Sequence, residues 1–309
     1  MAPGTEEEHV ETSMNGNKMH IKNFIWSEEE WPSLKHDDFG DLINDIPVIS
    51  LNNCTWDNNQ ELHKNICQDI VKASGKWGLF KLEDHGVPSE IVENFTSRLH
   101  ELFDLPMEQN LKGGKTPSFP LGYYASNPEY EQNLPWAETL QLLQSPEMIV
   151  QFAKRVYANK YHTFSNAMIE YMKEMDRLGM TIMEYFFSKN FEEKEATIFR
   201  ISRYPPCPPP EKIVGIGIHS DPQTLTILYQ DLVGGLQAVV NKEKQRLSMA
   251  YFMNPTSSAT TECPPQLINP VSNPRNYVPF TWAELRYLLL TTRRVRGRAV
   301  AINKFLISR

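Results

Sequence analysis

His219, Ser220 and Asp221 set an imidazole and a carboxylate one residue apart, between Ile218 and Pro222. On an extended strand alternate side chains share a face, so this spacing points both groups the same way. Such a pair can take two adjacent positions of an octahedral iron held by two imidazoles and one carboxylate, leaving the other positions for small molecules. The pair alone is weak evidence. With 8 His and 11 Asp in the 309 residues, chance supplies roughly 0.3 such pairs per chain. His36-Asp37-Asp38 is a second instance, with His85 downstream. It lies in a polar segment without strand character, and His85 sits in a turn-like Asp-His-Gly, so the pair at 219 and 221 is the stronger one.

Two further groups add weight. Arg246-Leu247-Ser248 lies in an apolar run with strand character, which places the arginine and the serine on one face. A guanidinium fork grips one carboxylate bidentately, and a hydroxyl beside it can bond the remaining oxygen. Tyr204 precedes Pro205-Pro206-Cys207-Pro208 at a strand end and offers a phenol. Together these groups describe a site for a dicarboxylate keto acid on iron. Each also has a plain structural reading: a core histidine bonded to backbone, an edge arginine in an ion pair, a tyrosine packed on prolines.

The elements that must carry these groups follow from the hydrophobic pattern. Residues 1–22 are polar and aperiodic and read as a frayed arm, with order beginning near Trp26. Ile46 to Leu51 and Trp77 to Leu82 read as strands, with a helix from Glu61 to Lys72 between them, stopped by Gly75. A second helix follows Pro88 and ends before Pro106, and Leu134 to Leu140 is a candidate strand. From Pro146 to Phe187 a Met and aromatic stripe through Met168, Tyr171, Met172, Met175, Ile182 and Tyr185 outlines a long helix or a helix pair, the stripe being core. Beyond Ala196 short strands are expected at 197–204, 214–218, 224–230, 236–241 and 246–253, then a helix from near Trp282 whose basic end, Arg293 to Arg298, is solvated.

Composition narrows the classes. Hydrophobic residues make up 40% and charged residues 22%, as in a globular protein. Lys and Arg total 31 against 38 acids, a net charge of −7, which disfavours phosphate backbones and anionic lipid. Cys54, Cys67, Cys207 and Cys263 show no CxxC spacing, which suits a reducing compartment. No segment reads as a signal peptide, and none has the roughly 18–20 apolar residues of a membrane span. The expectation is a soluble, cytoplasmic monomer acting on a small molecule, with no nucleic-acid or membrane partner.

The chain resembles the plant 2-oxoglutarate and Fe(II)-dependent dioxygenases, and within them the gibberellin-oxidase-like branch. The phrases that carry the likeness are IPVISL at 46–51, WGLFKLEDHGVP at 77–88, LPWAETLQLL at 134–143, RYPPCPPP at 203–210, HSDPQTLTILYQD at 219–231, GGLQ at 234–237, RLSMAYF at 246–252, PPQLI at 264–268 and YVPFTWAEL at 277–285. The resemblance implies an α+β fold, a helical N-terminal part at 23–190 followed by a distorted double-stranded β-helix, or jelly-roll, core at 191–309. It implies Fe(II) held by His219 and Asp221. It implies 2-oxoglutarate bound by Arg246, Ser248 and Tyr204, and ascorbate as reductant. The implied reaction is oxidation of a small carboxylated metabolite, gibberellin-like, with 2-oxoglutarate converted to succinate and CO₂.

Two departures stand out. Ser202 stands where the family commonly has Asn. The family's second histidine, roughly fifty residues after its His-x-Asp, is missing: the histidines are His9, His20, His36, His63, His85, His100, His162 and His219. Gly234-Gly235-Leu236-Gln237 runs within nine residues into Arg246, where relatives place several strands and a His-Arg step. The pattern reads as an internal deletion after Gln237, an incomplete jelly roll, and a chain impaired in catalysis; a non-enzymatic small-ligand binder is the alternative.

Overall fold

A computed structural model describes residues 11–14, 17–26, 46–52, 59–117, 119, 121–125, 134–187, 197–207, 213–217, 219, 221–231, 233, 240–263, 265, 268–291 and 301–307. The chain divides into two compact units, one of residues 1–191, 198–217 and 227–251, the other of 192–197, 218–226 and 252–309.

In the first unit, β1 (Glu11–Met14) and β2 (Asn17–His20) pair as an antiparallel hairpin within the stretch expected to be a frayed arm. Backbone pairing needs no apolar alternation, so the sequence pattern does not announce it. Next, β3 (Val48–Ser50) and β4 (Lys81–Glu83) run parallel, joined by helix α1 (Gln60–Trp77). Asn59 caps α1 by accepting from the Leu62 N–H at 3.0 Å. The helix passes through Gly75, where a side chain would meet nothing, and ends at Gly78, whose φ of 71° is left-handed and whose N–H bonds Ser74. The expected stop is thus three residues early, and the expected strand at 77–82 begins only at Lys81.

Helix α2 (Ser89–Phe103) and the short α3 (Met107–Leu111) follow as two segments split by Pro106. Then come β5 (Gly122–Tyr124), β6 (Glu138–Leu143), α4 (Pro146–Tyr157) and α5 (His162–Phe187). The expected long helix is a pair, broken at Ala158, whose φ is 49°. Ser145 caps α4 by accepting from Met148 N–H. Helix α5 packs against α1, α2 and α4. Its Met and aromatic stripe is buried as expected. Tyr171 lies flat on Phe95 at 3.9 Å, and both meet Phe199 edge-on. Such pairs contribute about 0.5–1.5 kcal/mol each beyond their area.

The sheet has the order β5-β6-β7-β9-β8, with β7 (Ile198–Tyr204), β8 (Leu225–Gln230) and β9 (Arg246–Met253). β5, β6 and β7 are antiparallel neighbours, Glu138 facing Arg203, Thr139 facing Ser202 and Gln141 facing Arg200. Thr224 N–H bonds Met253 and Asp231 N–H bonds Leu247, so β8 runs opposite to β9. Alternation sorts the side chains. Phe199, Ile201 and Arg203 of β7 share a face with Tyr251 of β9, which touches Phe199 and hydrogen-bonds Asp176 of α5. The opposite face carries Thr139, Ser202, Tyr204, Arg246 and Ser248, all buried. Strands expected at 224–230 and 246–253 are present. No strand forms at 214–217 within the one expected at 214–218; an isolated bridge joins the preceding Ile213 to Ile25, while 218 and 236–239 lie outside the described residues.

In the second unit, β10 (Thr260–Thr261) pairs with β11 (Phe280–Thr281), which leads into α6 (Trp282–Thr291). Thr281 and Glu284 form a reciprocal capping box: the Glu284 carboxylate accepts from Thr281 N–H at 2.7 Å, and Glu284 N–H bonds the Thr281 hydroxyl. These bonds hold the exposed Glu284 carboxyl below its usual value. Phe280 stacks on Phe305 of the 3-10 turn Ala301–Phe305. The basic run 293–298 lies outside the described residues.

Candidate active site

Tyr204, Arg246 and Ser248 come together in the first unit. β7 ends on Tyr204, and the adjacent β9 supplies Arg246 and Ser248 from alternate positions. The Arg246 guanidinium carbon lies 5.0 Å from the centre of the Tyr204 ring, and the Tyr204 and Ser248 hydroxyls are 3.5 Å apart. All three residues are more than nine-tenths buried. Arg246 donates through Nη2 to Gln230 Oε1 at 3.0 Å, while its Nε is buried without an acceptor. A cation stacked on a phenol, with an unsatisfied donor and two hydroxyls beside it, can receive a carboxylate.

His219 and Asp221 belong to the second unit. They lie on the segment before β8 and not within a strand, so their proximity does not come from pleat alternation. His219 Nε2 is nevertheless 3.3 Å from Asp221 Oδ1, and Thr226 donates to Asp221 Oδ2 at 3.0 Å. The side chains are 43% and 34% exposed. The donor types suit ferrous ion, but the number does not. Among the described residues no group of three His, Cys, Asp or Glu could hold a metal, and the sequence has no histidine after 219. The residues present fit an iron only in part.

Sequence reasoning did not single out Gln230 and Thr226. The signal was there, since both stand at even positions of β8 and share one face of it. His85 has the turn role expected of it, its Nδ1 accepting from Val87 N–H, while His36, Asp37 and Asp38 lie outside the described residues. Trp136 and Tyr123 are core: Trp136 packs with Phe24 and bonds the Pro205 carbonyl, and Tyr123 bonds Glu138. A cavity of about 100 Å³ beside Ser145, Pro146, Ile149, Met172 and Lys173 includes none of the site residues.

Comparison with known proteins places residues 46–163 against the family described as non-haem dioxygenase in morphine synthesis N-terminal, and residues 194–239 against the 2OG-Fe(II) oxygenase superfamily. Gibberellin 20 oxidase 3 of Arabidopsis thaliana is 28% identical, the match covering 95% of this chain and 90% of that protein. Gibberellin 20 oxidase 2 of Oryza sativa subsp. japonica is 25% identical over 84% and 79%. Among solved structures, JOX2 in complex with 2OG, Fe and JA superposes with a TM-score of 0.68 at 21% identity, covering 93% of each chain. The rice dioxygenase for auxin oxidation gives 0.66 at 20% identity, over 85% of this chain and all of the other. The helical N-terminal region and antiparallel sheet core are the fold of these oxygenases.

Proposed function

The chain belongs to the 2OG-Fe(II) oxygenase family, and from that premise we propose that it binds 2-oxoglutarate through Arg246, Ser248 and Tyr204, with a metal site one protein ligand short. Arg246 and the two hydroxyls hold the distal carboxylate, and Gln230 fixes the guanidinium so that its remaining donors face the diacid. His219 and Asp221 would hold the ferrous ion, which when bound supplies oxidation of a small organic acid coupled to decarboxylation of the keto acid. The substrate class is a carboxylated, largely apolar plant metabolite, gibberellin-like, in keeping with the relatives. Turnover is strongly reduced or absent, and ascorbate serves as reductant where activity remains. The protein acts as a cytoplasmic monomer.

The observation that carries this reading is the buried Arg246 beside Tyr204 and Ser248, with its Nε unsatisfied. Loss of the third ligand to an internal deletion is supported by two facts. The oxygenase match stops at residue 239, and the 352-position match to the Arabidopsis relative is longer than the 309 residues here, so some positions have residues only in the relative.

Calorimetric titration with 2-oxoglutarate, alongside succinate production with Fe(II) and ascorbate, tests the reading. Dicarboxylate binding with little or no succinate is expected. Succinate output equal to that of a relative with the full triad would overturn the impaired metal site, and no binding of 2-oxoglutarate would overturn the reading as a whole.

A further inference from the structure

The two edges of the five-stranded sheet differ. At one edge β5 has three residues, and Gly114 bridges to its Tyr123, whose N–H bonds Gly113. At the opposite edge β8 has six residues, and among the described residues it pairs only with β9. None of the six is buried, whereas β9 buries six of its eight. Leu228 is 44% exposed.

Thr224 N–H bonds Met253 at the end of β9, so by antiparallel alternation the backbone groups of Thr226 and Leu228 also face β9, and those of Leu225, Ile227 and Tyr229 face outward. A row of unpaired N–H and C=O groups is a template for another strand, which is why sheet edges are guarded by charge, proline, shortness or a cover. β8 reads Leu-Thr-Ile-Leu-Tyr-Gln and has no charge, proline or glycine. Asp231, the acid that follows, is turned back on the chain, accepting from Leu247 N–H at 2.6 Å and from Val233 N–H at 3.0 Å. A six-residue run of this composition is of the kind that pairs with copies of itself.

The outward row is complementary to itself. Two copies of β8 laid antiparallel about Ile227 set Leu225 opposite Tyr229 of the second copy and Ile227 opposite its own counterpart, so that each outward N–H meets a carbonyl. The side chains then form Leu-Tyr and Ile-Ile cross-strand pairs, which suit a pleated surface. We propose that the outer edge of β8 pairs with β8 of a second copy of this chain, antiparallel and two-fold, into one sheet continuous across both copies. The interface commits six residues on each side, against the roughly 20–30 of a standard interface, so the dimer is weak, half-formed on the order of 100 µM, and the monomer given above is the state at lower concentration. The proposal does not depend on the keto-acid site.

The test is sedimentation equilibrium of the full chain from about 5 to about 500 µM, a range that spans that constant. The mass is expected to rise from monomer to dimer and no further. Amide hydrogen exchange at the two ends of the range should show protection gained at Leu225, Ile227 and Tyr229 and none gained at Thr226 and Leu228, which β9 already holds. Ile227→Pro removes an outward donor without touching the β9 ladder and should weaken dimerisation about tenfold or more. Leu228→Lys places a charge on the edge and should weaken it likewise, which keeps the test open if the proline variant does not fold.

A chain that stays monomeric over the whole range overturns the proposal, as does a dimer undiminished in Ile227→Pro and Leu228→Lys. Growth in mass beyond the dimer overturns the closed two-fold pair. Protection of the three outward amides in a chain that remains monomeric would mean that a segment of the same polypeptide closes the edge, and would overturn the second copy as its occupant.

Discussion

Glu138 and Arg203 face each other across β6 and β7 and meet at 2.7 Å, with the Glu138 side chain fully buried. Tyr123 donates to the second carboxylate oxygen at 2.8 Å, and Arg203 lies over the Phe103 ring and reaches Asp104. Replacing one partner strands a buried charge, which costs about 3–5 kcal/mol, whereas an apolar pair of similar volume can be close to neutral. Arg203→Met is therefore expected to lower stability by that amount in urea unfolding. The double variant Arg203→Met with Glu138→Leu should recover most of it. Equal losses in both variants would mean that the pair itself stabilises the fold.

Arg246→Leu removes the charged donor from the buried face. Charged hydrogen bonds contribute about 1.5–3 kcal/mol, so affinity for 2-oxoglutarate should fall roughly ten- to a hundredfold in calorimetric titration. Tyr204→Phe should weaken binding less, since the ring that stacks on Arg246 is kept. Unchanged affinity in Arg246→Leu would remove the diacid from this position.

Metal binding should show the shortage of ligands directly. Titration with Mn(II), followed by the resonance of the free ion, is expected to give weak binding that Asp221→Ala abolishes. Added imidazole, able to fill a vacant coordination position, should tighten binding in wild type. No effect of imidazole would show that the chain completes the site by itself.

Tyr171 and Tyr157 ionise above the ordinary phenol range, both chiefly through burial. Tyr171 is held against Phe95 and Phe199. A phenol whose folded pKa is raised gives stability that is complete below the unfolded value, about 10, and is lost as pH rises beyond it. The fold should hold near neutral pH and unfold on the alkaline side, with tyrosinate absorbance at these positions appearing together with loss of tertiary signal. Tyr171→Phe should blunt that alkaline transition. Titration of Tyr171 in the intact fold, before unfolding, would contradict the assignment.

Local chemistry made some of this legible in the sequence. The strands at 198–204 and 246–253 stood out because apolar and polar residues alternate there, and the same alternation placed Arg246 with Ser248. The stop of α1 was misplaced because a glycine marks a helix end only where the backbone turns left-handed, and the sequence does not say whether Gly75 or Gly78 does so. The proximity of His219 and Asp221 was foreseen for a reason that does not apply, since neither residue is in a strand. The partners of Arg246 and Glu138 could not be read, because each depends on which strands become neighbours.

Residues 23–26 reach far along the chain. Leu134 bonds Asn23, the Trp26 indole bonds the Leu134 carbonyl, Ile25 bridges to Ile213, and a methyl group at Gly217 would collide with the Trp26 ring at 2.6 Å. The two ends of that clasp are about 190 residues apart, so during synthesis the early segment leaves the ribosome long before the one it must close on. The polypeptide leading to His219 can settle only after nearly the whole first unit exists, which makes this closure a late event in biogenesis, exposed to chaperones and proteases while it waits.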